Sequence, residues 1–175
     1  MIGKKMQEAI NSQVNAELYS AYLYLQMAAY FKNKNMPGFS NWMTVQTQEE
    51  MMHAMKFYNY VLARGGEIKL VTIDGPPVQF KSALEIFEMA YAHEQKVTGL
   101  INNLMDLAFT EKDHAASMFL QWFINEQVEE EANASAIVDQ LKLAQDSAGA
   151  ILLLDREMGT RVFTPPAAGE DGGAA

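Results

Sequence analysis

The sequence predicts an all-α fold: a four-helix up-down-down-up bundle with a long crossover and a short fifth C-terminal helix. Three observations carry that prediction. Apolar residues recur at alternating steps of three and four through four long stretches, Gly, Pro and Asn punctuate the joins, and one join is far longer than the others. The chain of 175 residues is one domain's worth, and 49% hydrophobic against 20% charged residues is the balance of a folded protein.

The first stretch places Ile10, Val14, Glu17, Ala21, Tyr24, Ala28 and Phe31 on one seam. Asn33 to Gly38 interrupts it, with Pro37 suited to a first helical turn. The second stretch runs Phe39, Met43, Gln46, Glu50, His53, Phe57 and Tyr60, and Gly65-Gly66 ends it. The join from Gly66 to Lys81 contains Pro76-Pro77 and, at roughly 3.3 Å per extended residue, can span a whole helix. A loop of that length is rare without a use, so the two hairpins are expected to be joined by one crossover. Ser82-Ala83-Leu84-Glu85 is a capping box that opens the third stretch, whose seam is Phe87, Ala90, Glu94, Val97, Ile101 and Leu104. After a short turn at Thr110 to Asp113, the fourth carries Phe119, Phe123, Gln127, Glu130, Ala134, Ile137 and Leu141 and fades near Ala144. Asp146-Ser147 is placed to cap a fifth helix reaching about Arg161. The expected division is a helical domain over 1–161 and a flexible tail over 162–175, rich in Pro, Gly and Ala.

Composition excludes several classes of function. The formal charge of −9 opposes a nucleic-acid or anionic-membrane partner. With 0 Cys there is no disulfide framework, thiolate zinc site, iron–sulfur cluster or thiol catalysis, so any metal is held by oxygen and nitrogen. The N-terminus lacks the apolar core of a signal peptide, and the longest uncharged stretch, Leu18 to Phe31, is too short and polar to span a bilayer. A cytoplasmic location is the resulting expectation.

The seams contain an anomaly. Glu17, Glu50 with His53, Glu94 and Glu130 occupy positions that should be apolar, each near the middle of its helix. Four carboxylates and an imidazole would therefore meet in one buried layer, at a cost of several kcal/mol per unpaired charge. Lys or Arg usually neutralise such groups. Here no basic residue stands between Lys5 and Lys32, Lys34 and Lys56, or Lys112 and Lys142, and Lys96 turns away from Glu94. A metal cation is the remaining compensating charge. Carboxylates with one imidazole suit iron or manganese, or zinc opportunistically. Glu50-Met51-Met52-His53 is a Glu-x-x-His pair on one helical face; Glu111 and His114 share the spacing but fall at a turn, where solvation explains them.

Asn15 to Tyr24, Glu49 to Ala54, Tyr91 to Glu94 and Phe123 to Glu131 resemble the bacterial and archaeal non-haem ferritins of the ferritin-like di-iron family, over nearly the whole chain to about residue 161. The resemblance implies a ferroxidase that oxidises Fe(II) with O2 or H2O2 and stores ferric mineral inside a shell of 24 identical subunits. Glu17, Glu50 and His53 would hold one iron, and bridging Glu50 with Glu94 and Glu130 the second. A third iron would map onto Glu49, Glu126, Glu129 and Glu130, three of which share a helical face, while Glu131 reads as a solvated acid. Tyr24 would supply an electron or a hydrogen bond, and Gln127 would position water or oxygen. The fifth helix would meet other copies at fourfold axes, or else cap the bundle end.

The alternatives are a haem-binding bacterioferritin and a metal-binding bundle without turnover. Met51 stands where the haem methionine stands in bacterioferritins, but the second Glu-x-x-His pair is missing because Gln127-Val128-Glu129-Glu130 ends in Glu. No haem is expected. A rubrerythrin would need a Cys-ligated iron.

Overall fold

Five helices occur among the described residues, 1–145 and 147–165 of the computed structural model: α1 (Lys4–Asn33), α2 (Pro37–Ala63), α3 (Ala83–Thr110), α4 (His114–Ala144) and α5 (Ala148–Met158). No strand occurs among them, and none of the helices is long and apolar enough to cross a membrane. Local chemistry sets most ends. Pro37 opens α2, the Ser82 hydroxyl accepts from the Glu85 amide at 3.1 Å, and Asp113 caps α4 by accepting from the Ala116 amide at 3.0 Å. The Glu85 carboxylate reaches past Ser82 to the Lys81 amide, at 2.5 Å, so the box closes one residue earlier than its usual form.

α1 packs along α2 and α3 along α4, each pair made antiparallel by its short turn. Phe31 meets Phe87 and Tyr24 meets Glu94, so α1 and α3 also run in opposite senses. Phe57 stacks on Phe123 and Tyr60 on Phe119, each pair with ring centroids 3.9 Å apart, which joins α2 to α4 in the same antiparallel way. The result is up, down, down, up. The crossover starts against Gln7 and Asn11 near one end of α1, where Asn11 bonds both Glu67 and Lys69. It finishes with Phe80 edge-on to Tyr30 near the other end. It therefore runs the length of the bundle, as its length requires.

α5 closes one end. Its Asp155 is buried and accepts at Oδ1 from the amides of Gly38 and Phe39, both at 2.9 Å, supplying the N-terminal cap that Met36 does not provide for α2. α5 stops at Met158, three residues short of the expected Arg161. Gly159 follows, and the Asn41 amide captures the carbonyls of Met158 at 3.3 Å and Arg161 at 2.9 Å, pulling the chain off the helical path. Ser147 caps α5, while Asp146 and residues 166–175 of the expected tail lie outside the described residues.

The core is in two halves. One apolar cluster gathers Ile10, Val14, Phe57, Ile101, Leu120 and Phe123; the other gathers Met27, Phe31, Phe39, Met43, Phe87 and Val138. Between them lies a layer of buried polar side chains: Glu17, Gln46, Glu50, His53, Glu94, Gln127 and Glu130.

Candidate metal centre

Each of the four bundle helices delivers its share of the polar layer from mid-length. The positions share the spacing of the apolar seam, so the side chains point inward with their neighbours and are buried. A carboxylate oxygen from each of Glu17 and Glu50 and a ring nitrogen of His53 lie within 4.8 Å of one another, and His53 Nδ1 is 3.5 Å from Glu50 Oε2. Glu94 and Glu130 lie outside that tight group. Hydrogen bonds tie them to the layer: Gln46 Nε2 donates to Glu50 Oε1 at 3.1 Å and to Glu130 Oε2 at 2.8 Å. The Tyr24 hydroxyl donates to Glu94 Oε1, and Gln127 Nε2 donates at 3.3 Å to Glu94 Oε2 and to its main-chain carbonyl.

Burial and crowding alter the charge state. Burial, reinforced by the neighbouring Glu50, pushes the Glu17 carboxyl up to about 8; burial and Glu130 push Glu50 up to about 8 as well. Glu94 is raised well above the ordinary range for the same two reasons, burial first and then Glu50 and Glu130. Tyr24 keeps its proton, since burial and the adjacent Glu94 both disfavour the phenolate. Glu17 Oε2 and His53 Nε2 are buried without any hydrogen-bond partner, although buried polar atoms are nearly always satisfied. No Lys or Arg pairs with Glu17, Glu50, Glu94 or Glu130 in any ion pair among the described residues. Two orphaned donor atoms facing a dry carboxylate cluster fit a cation with mixed oxygen and nitrogen ligands.

The acids expected to hold a third iron are placed differently. Glu130 is buried and Glu126 half-buried, whereas Glu129 is exposed. Glu49 is also half-buried; burial lifts its carboxyl to about 7 against the pull of Arg161, whose guanidinium pairs with it. Glu131, expected to be solvated, instead accepts from Thr98 Oγ1 at 2.5 Å on the α3 side of the helix. Glu111 accepts from Lys5 at 2.8 Å, which agrees with a solvated turn rather than a ligand pair. Trp122 packs edge-on against the His53 ring, with centroids 5.5 Å apart, and Met51 stands 45% exposed on the outer face of α2.

Three participants were not singled out by sequence. Gln13 donates to Glu17 Oε1 at 2.8 Å, Gln46 joins Glu50 to Glu130, and Arg161 holds Glu49. The first two carried a signal, since each glutamine stands four residues before the glutamate it holds, on the same helical face. Arg161 carried none, because it enters from beyond α5.

Against known proteins, the family described as ferritin-like domain matches residues 7–144. The bacterial non-heme ferritin of Bacteroides fragilis is 45% identical over 161 residues, covering 92% of this chain and all of that protein. That of Staphylococcus aureus is 39% identical over 163 residues, covering 93% and 98%. Among solved structures, the open pore ferritin of the hyperthermophilic archaeon Archaeoglobus fulgidus superposes with a TM-score of 0.91 at 51% identity, over 93% of this chain and 99% of that one. A closed form of the same ferritin, engineered by site-directed mutagenesis, gives 0.92 at 52% identity, over 94% and 100%.

Proposed function

The chain belongs to the ferritin family and, as a ferritin, stores iron and oxidises Fe(II); we propose that the oxidation takes place in the polar layer at mid-bundle. One observation carries this reading: Glu17, Glu50 and His53 converge in the dry core with two of their ligand atoms unpartnered and, among the described residues, no ion pair to a basic side chain. Iron is the substrate and cargo. Glu17, Glu50 and His53 hold one ferrous ion, and Glu50, Glu94 and Glu130 the second. The four positive charges of two ferrous ions balance four carboxylates, which is why the layer tolerates burial once it is loaded. Each ion gives up one electron, and the pair together takes dioxygen to hydrogen peroxide or hydrogen peroxide to water.

The chain's own groups prepare that chemistry. Glu17 and Glu50 keep protons near neutral pH in the metal-free protein, so loading the site releases them. Gln46 and Gln127 hold the carboxylates of Glu50, Glu130 and Glu94 in place from outside the cluster, and Tyr24 does the same for Glu94. Glu49, Glu126 and Glu129 with Glu130 take a third iron on its way out of the pair. Ferric product then collects in the cavity of a shell of 24 copies.

Stopped-flow oxidation of Fe(II) tests the centre. Glu17→Ala and His53→Ala are each expected to slow the fast phase at least about tenfold. If both variants match the parent, the centre lies elsewhere; if the parent oxidises Fe(II) no faster than buffer, the bundle binds metal without turnover. A Soret band in the purified protein would overturn the non-haem reading and assign Met51 to haem.

A further inference from the structure

Arg161 is a residue of the chain beyond the bundle whose side chain is spent entirely on α2. Its carbonyl accepts from Asn41, its guanidinium lies 4.4 Å from the centre of the Trp42 ring, Nη1 donates to Gln46 Oε1 at 2.8 Å, and Nη2 pairs with Glu49. Both side chains of the ion pair are about four-fifths covered, at 20% and 19% exposure, so solvent screens it only in part. The Gln46 contact has a direction. Its amide oxygen faces the guanidinium while its nitrogen donates to Glu50 and Glu130. Turning that amide over would set NH2 against a cation and oxygen against two carboxylates, so Arg161 fixes which end of Gln46 faces the centre.

We propose that Arg161 is a positioning residue of the iron site: it is the resident counter-cation of Glu49, and a metal ion engages Glu49 only by displacing the guanidinium from α2. The inference rests on the reading of Glu49 as an iron ligand. Displacement also frees the Gln46 oxygen, so occupancy at Glu49 is coupled to the amide that holds Glu50 and Glu130. Iron leaving the pair thus has to compete with a built-in cation.

Calorimetric titration of the assembled protein with Zn(II), which does not change oxidation state, tests this. The relevant binding step is the one that Glu49→Gln removes, in the parent or in the Arg161→Gln background. Arg161→Gln is expected to tighten it by roughly tenfold or more, and Arg161→Lys, which keeps the charge without the fork, to fall between. In zinc-soaked crystals, Arg161 is expected to have left Glu49 wherever metal occupies it. An unchanged Glu49-dependent step in Arg161→Gln, with only a lower unfolding temperature, overturns the proposal by making Arg161 merely structural. Absence of any Glu49-dependent step in both backgrounds overturns the reading of Glu49 as a ligand, and this proposal with it. Absence of any binding step that Glu17→Ala removes is the separate result that would overturn the paired centre.

Discussion

Glu17 and Glu50 hold protons in the metal-free protein, and that gives it a pH dependence of known sign. Both carboxyls titrate at about 8 when folded, against an ordinary value of 4.5, so between those pH values the folded chain holds protons that the unfolded chain has released. Their contribution to stability is complete below pH 4.5 and is lost as pH rises toward 8. Thermal unfolding of metal-stripped protein should therefore move to lower temperature from pH 5 to 8, and Glu17→Gln, a permanent mimic of the protonated acid, should flatten the slope. A midpoint that climbs over that range would contradict the burial of an uncompensated cluster. Tyr24 gives a second prediction at this scale. Tyr24→Phe leaves Glu94 Oε1 without its hydroxyl donor, and is expected to slow oxidation several-fold while calorimetry still finds paired metal binding. An oxidation rate equal to the parent's would remove Tyr24 from the working site.

At the scale of elements, what the sequence made legible was periodic and local. The four long helices, the Pro37 start, the Ser82 cap and the Asp113 turn follow from spacing and from neighbours a few residues away. The burial of Glu17, Glu50, His53, Glu94 and Glu130 was legible for the same reason, because a polar residue in an apolar seam stands out against its own helix. Contacts from distant chain were not. Counting Lys and Arg within the helical intervals left Glu17, Glu50 and Glu130 without cations, and no Lys or Arg ion pair reaches them among the described residues. It missed Arg161 on Glu49, which arrives from 112 residues away. The cap of α2 is of that kind too, since Asp155 reaches it across 117 residues. Asp155→Ala removes the acceptor for two buried amides and is expected to cost about 2 kcal/mol, seen as a drop of several degrees in the unfolding midpoint; Asp155→Asn, which keeps an oxygen, should cost less. Gly38→Ala should be worse, because a Cβ there falls 1.4 Å from the Asp155 carbonyl oxygen and must push α5 off α2. An alanine variant as stable as the parent would show that α5 is not what holds the start of α2.

For the whole molecule, α5 has two faces. Asp155 and Met158 are buried against the bundle, whereas Leu152 and Leu153 are 53% and 67% exposed. Capping the bundle end and meeting other copies are therefore compatible uses of one helix, and the outward leucines suit the apolar contact of a closed shell. Leu153→Glu is expected to shift the native mass from that of the proposed 24-subunit shell to smaller species without unfolding the protomer; an intact shell in the variant would place the contact elsewhere. The two apolar clusters hold the bundle from either side, and all four long helices contribute buried polar side chains to the layer between them, where the oxidation is proposed to take place. The most direct test of that layer is anomalous diffraction at the iron edge from crystals of metal-stripped protein exposed to Fe(II) without oxygen. Two peaks are predicted at mid-bundle, one among Glu17, Glu50 and His53 and the other among Glu50, Glu94 and Glu130. Iron found only on the acidic surface, with none at mid-bundle, would contradict the account.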